Sequence, residues 1–399
     1  MFNISLRHSA LPIALFVFTL MALTKMRPPN LWAHTQFLLS YDVGTVRRSL
    51  IGQGLAWVFE SGLMQSTIFA LAAVLTLSGA AAMVLFMARA LARLDGGAEV
   101  LLVFVTSVGM VTFLCNTGYL EGALALVGVA ALILPVRGAL PLIAKCVLCI
   151  VGVLIHDIML PTFALLVGLQ LFLSRDELPV ASRIALGALP VALTAAVLTA
   201  LFLLSPDAAE SYDTVFATVT DRALDFPTRK GAVEAVMSYG PGMEPAYDSV
   251  WGSDLYRFEL IYISWIGVAI TLWLLVAAAR LISHRPMLDR LALVAAGLGP
   301  LSLLLVAFDV SRLLGVAILH AFLVIAVVLL IDESARVKLR SVFTQQAIVL
   351  LLIVNVVVGF RPLNGYPEFG DDFPGAVMEL PLWWNMPPSG GRLTQNPGE

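Results

Sequence analysis

Four short stretches of this sequence bring together side chains able to move a proton and to hold an anion. The first is Tyr41-Asp42-Val43-Gly44-Thr45-Val46-Arg47-Arg48, with one carboxylate and two adjacent guanidinium groups. Asn116, Tyr119 and Glu121 form the second, His156 and Asp157 the third, and Asp309 with Arg312 the fourth. Carboxylates and an imidazole are the usual acids and bases. Arginine presents a planar fork that matches the oxygens of phosphate. Together these residue types suit phosphate-linked group transfer, with Asp42, His156 and Asp157 as catalytic candidates and Arg47, Arg48, Glu121, Asp309 and Arg312 as substrate-binding candidates. Each has a plainer alternative. Asp42 can pair with its own arginines across a turn, Asp309 and Arg312 have the i, i+3 spacing of a helix pair, and His156-Asp157 can cap a helix. Glu121 can be a solvated turn residue.

The elements that must position these groups are set by composition. Hydrophobic residues make up 59% of the 399 and charged residues 13%, and the mean hydropathy is +0.92. Apolar runs near the roughly 20 residues needed to cross about 30 Å of hydrocarbon recur along the chain, so the expected class is an all-α, polytopic helical membrane protein. Eleven spans are predicted at 9–25, 63–88, 100–116, 121–136, 140–156, 158–174, 184–204, 259–280, 290–308, 313–331 and 345–360. The first, which ends Met21-Ala22-Leu23-Thr24-Lys25 without a small-x-small cleavage site, reads as a retained span. With the N-terminus inside, the inner segments hold 13 basic and 7 acidic residues and the outer ones 11 and 20, so the faces carry +6 and −9 of the net −3. Excess positive charge marks the cytoplasmic face, which predicts an N-in, C-out arrangement. The short spans around Pro141 and Pro161 could instead form one broken or re-entrant element, and that would invert the orientation of every later span.

The domain organisation expected is a transmembrane region, 1–360, with outer loops at 26–62 and 205–258, and a non-cytoplasmic tail, 361–399. The second loop is rich in aromatics (Tyr212, Tyr239, Tyr247, Trp251, Tyr256) and acids, a composition that suits either a sugar-stacking cap or ordinary interfacial anchoring. In the tail, Trp383-Trp384 reads as an interfacial anchor. Under this topology all four chemical stretches share the outer side. An ionisable side chain near a span costs roughly 2.5 to 3.5 kcal/mol on insertion scales, so such residues generally have a function. His320, mid-span, reads more simply as a hydrogen-bonded packing residue. The three cysteines form no complete disulfide framework, and Cys146-x-x-Cys149 lies inside a span with no second ligand pair, so they read as packing residues.

Gly52-x-Gly54 follows no strand and no phosphate-loop motif is present, which argues against soluble nucleotide chemistry and nucleic-acid partners. Gly44, Gly52 and Gly54 permit tight turns or close approach, and Ser49 to Phe59 suits a short interfacial helix that would aim Arg47 and Arg48 at headgroups. An outer site with acids and arginines then needs an activated substrate already in the bilayer, and a polyprenyl-phosphate-linked sugar is one. The expected partners are the lipid bilayer, that polyprenyl-linked sugar and a glycan acceptor. The sequence identifies no cofactor with certainty; His156-Asp157 could orient the acceptor or help ligate a divalent cation, and no metal ligand is assigned.

The first outer stretch is similar to a Tyr-Gly-Phe-Val-Arg-Arg-Gly-Leu-x-Gly pattern in multispan proteins of bacterial surface-polysaccharide clusters. Leu154-Ile155-His156-Asp157 and Phe308-Asp309-x-x-Arg312 look like the His-acid and Asp-x-x-Arg positions of that group. An acid in the first outer loop, with a long later outer loop, also resembles GT-C-type membrane glycosyltransferases. The likeness covers about thirty of 399 residues, with Thr45, Ser49 and Asp157 departing from the pattern. It implies a GT-C-like arrangement and glycosyl transfer in surface-glycan assembly, on the outer face of a bacterial inner membrane. An O-antigen-type polymerase or ligase, a lipid or small-solute transporter, and an inert assembly partner are the alternatives.

Overall fold

The computed structural model describes residues 6–42, 44–205, 208–237, 264–305 and 310–358. The expected Tyr239, Tyr247, Trp251 and Tyr256 cap residues, Asp309 and the 361–399 tail lie outside them. Among the described residues the chain is all-helical, with one isolated bridge, Leu63 to Ala223, and no strand. The helices are α1 (Leu6–Lys25), α2 (Leu31–Gln36), α3 (Leu50–Val58), α4 (Gln65–Leu91), α5 (Gly97–Val105), α6 (Val108–Cys115), α7 (Glu121–Ile133), α8 (Ala139–Ile155), α9 (Leu165–Leu173), α10 (Val180–Leu204), α11 (Ala208–Asp221), α12 (Lys230–Glu234), α13 (Ser264–Leu281), α14 (Met287–Leu298), α15 (Val310–Ile331), α16 (Glu333–Val342) and α17 (Gln345–Val358).

Six helical segments are long and apolar enough to cross a membrane, and a seventh joins them if α16 and α17, bent by 73°, count as one span. This is a multi-pass membrane protein. The sequence predicts eleven crossings; the difference lies mainly in four shorter apolar segments, Leu11–Lys25, Glu121–Ile133, Ala139–Ile155 and Asp157–Leu173. At 1.5 Å per residue the 13-residue α7 reaches only about 20 Å. Its end is satisfied inside the protein: Lys145, fully buried, donates to the Ala131 carbonyl and to Gln170, whose amide donates to the Leu132 carbonyl.

Glycine pairs bring the helices together. A Cβ on Gly79 of α4 would lie 2.4 Å from the Gly122 carbonyl oxygen of α7; Gly109 and Gly315 join α6 to α15, and Gly168 and Gly187 join α9 to α10, in the same way. In lipid, where burial supplies no drive between helices, such close backbone approach supplies the van der Waals contact. α15 is the hub, most of its span being covered by neighbours. Ion pairs sort by end of the bundle. Arg183–Asp289, Arg285–Asp332, Arg137–Glu177 and Arg340–Glu99 join turns that the charge pattern assigns to one face; Arg47 and Arg48 with Asp157, and Arg312 with Glu121, join turns assigned to the other.

On that second end a separate apolar cluster, including Phe37, Leu39, Val46, Leu63, Val215, Val219 and Val233, welds the 26–62 segment to 208–237. Arg222 reinforces it by donating to the Leu38 and Gly52 carbonyls. Gly52 is required by this contact, since a Cβ there would sit 1.9 Å from the Leu39 carbonyl oxygen, whereas Gly54 has open space beside it.

Candidate functional site

The site begins where α8 stops. His156 takes extended backbone (φ −159°, ψ 132°), and the chain restarts as a 3-10 turn at Asp157–Met159 followed by a π-helical turn, Leu160–Ala164. Pro161 fits near the start of a helical turn, where its missing N–H leaves no bond unmade. His156 Nδ1 lies 2.7 Å from Asp157 Oδ1. The Ile158 N–H reaches both that oxygen (3.1 Å) and Nδ1 (3.2 Å), but one ring nitrogen cannot donate and accept at once. The carboxylate takes both protons, so Nδ1–H donates to Asp157 and Nε2 holds the lone pair. His156 is 1% exposed, and Nε2 has no hydrogen-bond partner among the described residues.

The other oxygen of Asp157 faces the arginines. Oδ2 accepts from Arg48 Nη2 at 2.8 Å and lies 3.5 Å from Arg47 Nη1. Burial of Asp157, which sits in the turn between α8 and the next helical segment, opposes its ionisation; Arg48 and His156 outweigh that and hold the carboxyl well below the usual carboxylate range.

The two arginines differ in what they have left to give. Arg47 donates through Nη2 to the Ala235 (2.9 Å) and Met237 (3.1 Å) carbonyls, and its guanidinium lies 4.0 Å over the Phe202 ring. It ties the α12 segment and the end of α10 to the turn. Arg48 makes one side-chain bond among the described residues, to Asp157, and its buried Nε has no partner there. Arg48 also adopts φ +62°.

The second non-glycine residue described with positive φ is Leu120 (φ +66°, ψ −6°), immediately before Glu121. Left-handed backbone at a bulky residue is uncommon, and strain of this kind concentrates at functional sites. Glu121 opens α7, 3.5 Å from Arg312 Nε on α15. The Arg312 guanidinium rests 4.5 Å over the Tyr119 ring, whose hydroxyl accepts from Asn30. Thr112, Asn116, Glu121 and Arg312 line a small cavity above the Gly109–Gly315 crossing, and the Thr112 hydroxyl has no partner among the described residues.

The structure thus brings Arg47, Arg48, His156 and Asp157 into one cluster and Glu121 and Arg312 into a second. Arg48 and Arg312 both act electrostatically on His156. Asp42 takes a different position: exposed, its carboxylate accepts from Ser40 at 2.7 Å, and it forms no described pair with Arg47 or Arg48. Asp309 lies outside the described residues. Arg222, Phe202, Asn30 and Thr112 belong to the surroundings without having stood out in the sequence; of these only Asn30, after two prolines and before Leu31, carried a legible cap signal. Among the described residues no three His, Cys, Asp or Glu side chains converge as metal ligands.

No protein-family model matches this chain, and comparison with curated proteins and with solved structures returns no significant match. What defines the site is its own geometry: a histidine aligned by a carboxylate, beside an arginine, Arg48, that makes one side-chain bond among the described residues, at one end of a multi-pass helical bundle.

Proposed function

We propose that eleven segments cross a bacterial inner membrane, N-terminus inside, in a GT-C-like arrangement, and that the protein is a glycosyltransferase acting on the outer face with a polyprenyl-phosphate-linked sugar. The topology is supported by the sorting of ion pairs between the two ends and by the charge excess on the end away from His156. The observation that carries the chemistry is the buried His156 Nε2 lone pair, fixed by Asp157 and flanked by Arg48. In the reaction Nε2 takes the proton of an acceptor hydroxyl as its oxygen forms a bond to the anomeric carbon. The bond from that carbon to the phosphate oxygen breaks, and its electron pair leaves on the phosphate. Arg48 and Arg312 stabilise that departing charge; Asp157 orients the imidazole and stabilises the imidazolium, and Arg47 holds Asp157. Asp42, a base candidate from sequence, takes no step in this scheme.

Purified protein incubated with a radiolabelled polyprenyl-phosphate sugar and a glycan acceptor tests the assignment. His156→Gln and Arg48→Ala abolish transfer, while Asp42→Asn retains it; retention in the first two sinks it. Glycan length separates an O-antigen-type polymerase, whose loss leaves single repeat units, from a transferase, whose loss removes one sugar or branch.

One observation favours transport as a second reading. Helical segments break at Thr106–Ser107, at 157–164 and at Gly299–Leu305, and His320 sits within α15, bonded to the Ala296 carbonyl. Interrupted helices and polar groups inside the bundle are transporter features. Vesicle uptake that survives His156→Gln would select that reading.

A further inference from the structure

An apolar stripe on α8 leads to the charged cluster. Ile143 and Val147 are 59% and 50% exposed, and Val151 and Leu154 are partly exposed. At spacings of 4, 4 and 3 residues these four share one face of the helix. The stripe ends at Asp157, whose side chain keeps 21% of its surface accessible beside Arg48 at 15%. α8 packs against both α3 and α10. α10 is mostly uncovered by the protein, as a helix facing lipid must be, and Phe202, 40% exposed, lies on it directly over Arg47. α3 starts two residues after Arg48 and ends at Trp57 and Val58, 75% and 72% exposed, seven residues before the long span α4. An exposed tryptophan there marks the membrane interface, and the helical rise from Leu50 to Trp57 is only about 10 Å.

Among the described residues, the Arg48 guanidinium thus lies at the end of a lipid-facing apolar surface. We propose that a lipid-borne anionic ligand reaches Arg48 from within the bilayer, its phosphate at Arg48 and its chain along the α8 stripe. This rests on the phosphate-lipid reading of the site and adds the route and the seat of the chain. Arg48, whose one side-chain bond among the described residues is to Asp157, presents a guanidinium complementary to a phosphate. Water-borne phosphate would use the same donors but gain nothing from the stripe, so chain length distinguishes the two sources.

The test measures binding of two probes to the full chain in detergent: a long-chain polyprenyl monophosphate and its two-isoprene analogue. Leu154→Trp and Val147→Trp obstruct the stripe, and Leu350→Trp, on the exposed face of α17, is the control. Leu154→Trp is expected to weaken the long-chain probe about tenfold, the contact of roughly two methylene groups, and to leave the short analogue and the control unchanged; Arg48→Ala weakens both probes. Should Leu154→Trp fail to fold, Val147→Trp, at an exposed position, gives the same reading. Unchanged long-chain binding in the stripe variants, with Arg48→Ala still impaired, overturns the route while the phosphate reading stands. Wild-type protein that binds neither probe overturns both.

Discussion

Asp157→Asn isolates the dyad with the smallest steric change available. The carboxylate accepts from His156 Nδ1 (2.7 Å), from Arg48 (2.8 Å) and from the Ile158 N–H (3.1 Å). An amide can turn its NH2 toward Nδ1, which makes that nitrogen an acceptor and moves the imidazole proton to Nε2, where no base remains. General-base assistance contributes roughly 10²- to 10⁴-fold, and transfer should fall by about that factor. Stability falls as well. A unit charge pair about 4 Å apart is worth roughly 4 kcal/mol at an effective dielectric of 20; desolvation offsets part of it, while Arg48 left without its counter-charge adds a cost, so the net loss is about 2–4 kcal/mol. The assays are sugar transfer by purified variant and its thermal unfolding. His156→Gln should lose transfer to a similar degree with a smaller fall in melting temperature. If Asp157→Asn melts earlier yet transfers within about threefold of wild type, the pair is a fold element and the base lies elsewhere.

Arg47→Lys should lose stability nearly as far as Arg47→Ala, by roughly 1–3 kcal/mol, because an ammonium cannot span Asp157, two carbonyls and the Phe202 face; full thermal stability in the lysine variant would contradict the tie. Gly52→Ala drives a methyl into the Leu39 carbonyl, so α3 must move, and chymotrypsin should cut the 26–62 segment faster; an unchanged rate counts against that packing. His34, buried against Phe226 outside the spans, has its pKa lowered to about 4 by burial. Its folded pKa lies below the unfolded value, about 6.5, so the neutral form's stability is complete above that value and is lost progressively as pH falls toward 4, at most about 1.4 kcal/mol per pH unit. His34→Gln should flatten the pH dependence of melting across that window, and a slope equal to wild type would refute the burial argument.

Much of the bundle was legible because apolar runs of membrane length need no partner to be recognised; α4 and α10 follow directly from them. The shorter α7 and α8 were legible as apolar but not as crossings, since their ends depend on side chains such as Lys145 and Gln170 that reach across helices. Sorting basic residues by face grouped the turns that later pair. It could not say which acid meets which arginine. Arg48 and Asp157 are 109 positions apart, while Asp42 is six from Arg48, and sequence proximity favoured the nearer acid. The turn at Gly44 and the left-handed Arg48 send the arginines toward α8 instead. The glycine crossings were equally hidden, because Gly79 and Gly122 gain meaning only when α4 and α7 meet.

The most direct measurement of the central claim is the surface-glycan composition of cells carrying His156→Gln or Arg48→Ala at wild-type protein levels. Loss of one sugar or branch in both variants, with glycan intact in Asp42→Asn, is the predicted result. Glycan identical to wild type in His156→Gln and Arg48→Ala would contradict it.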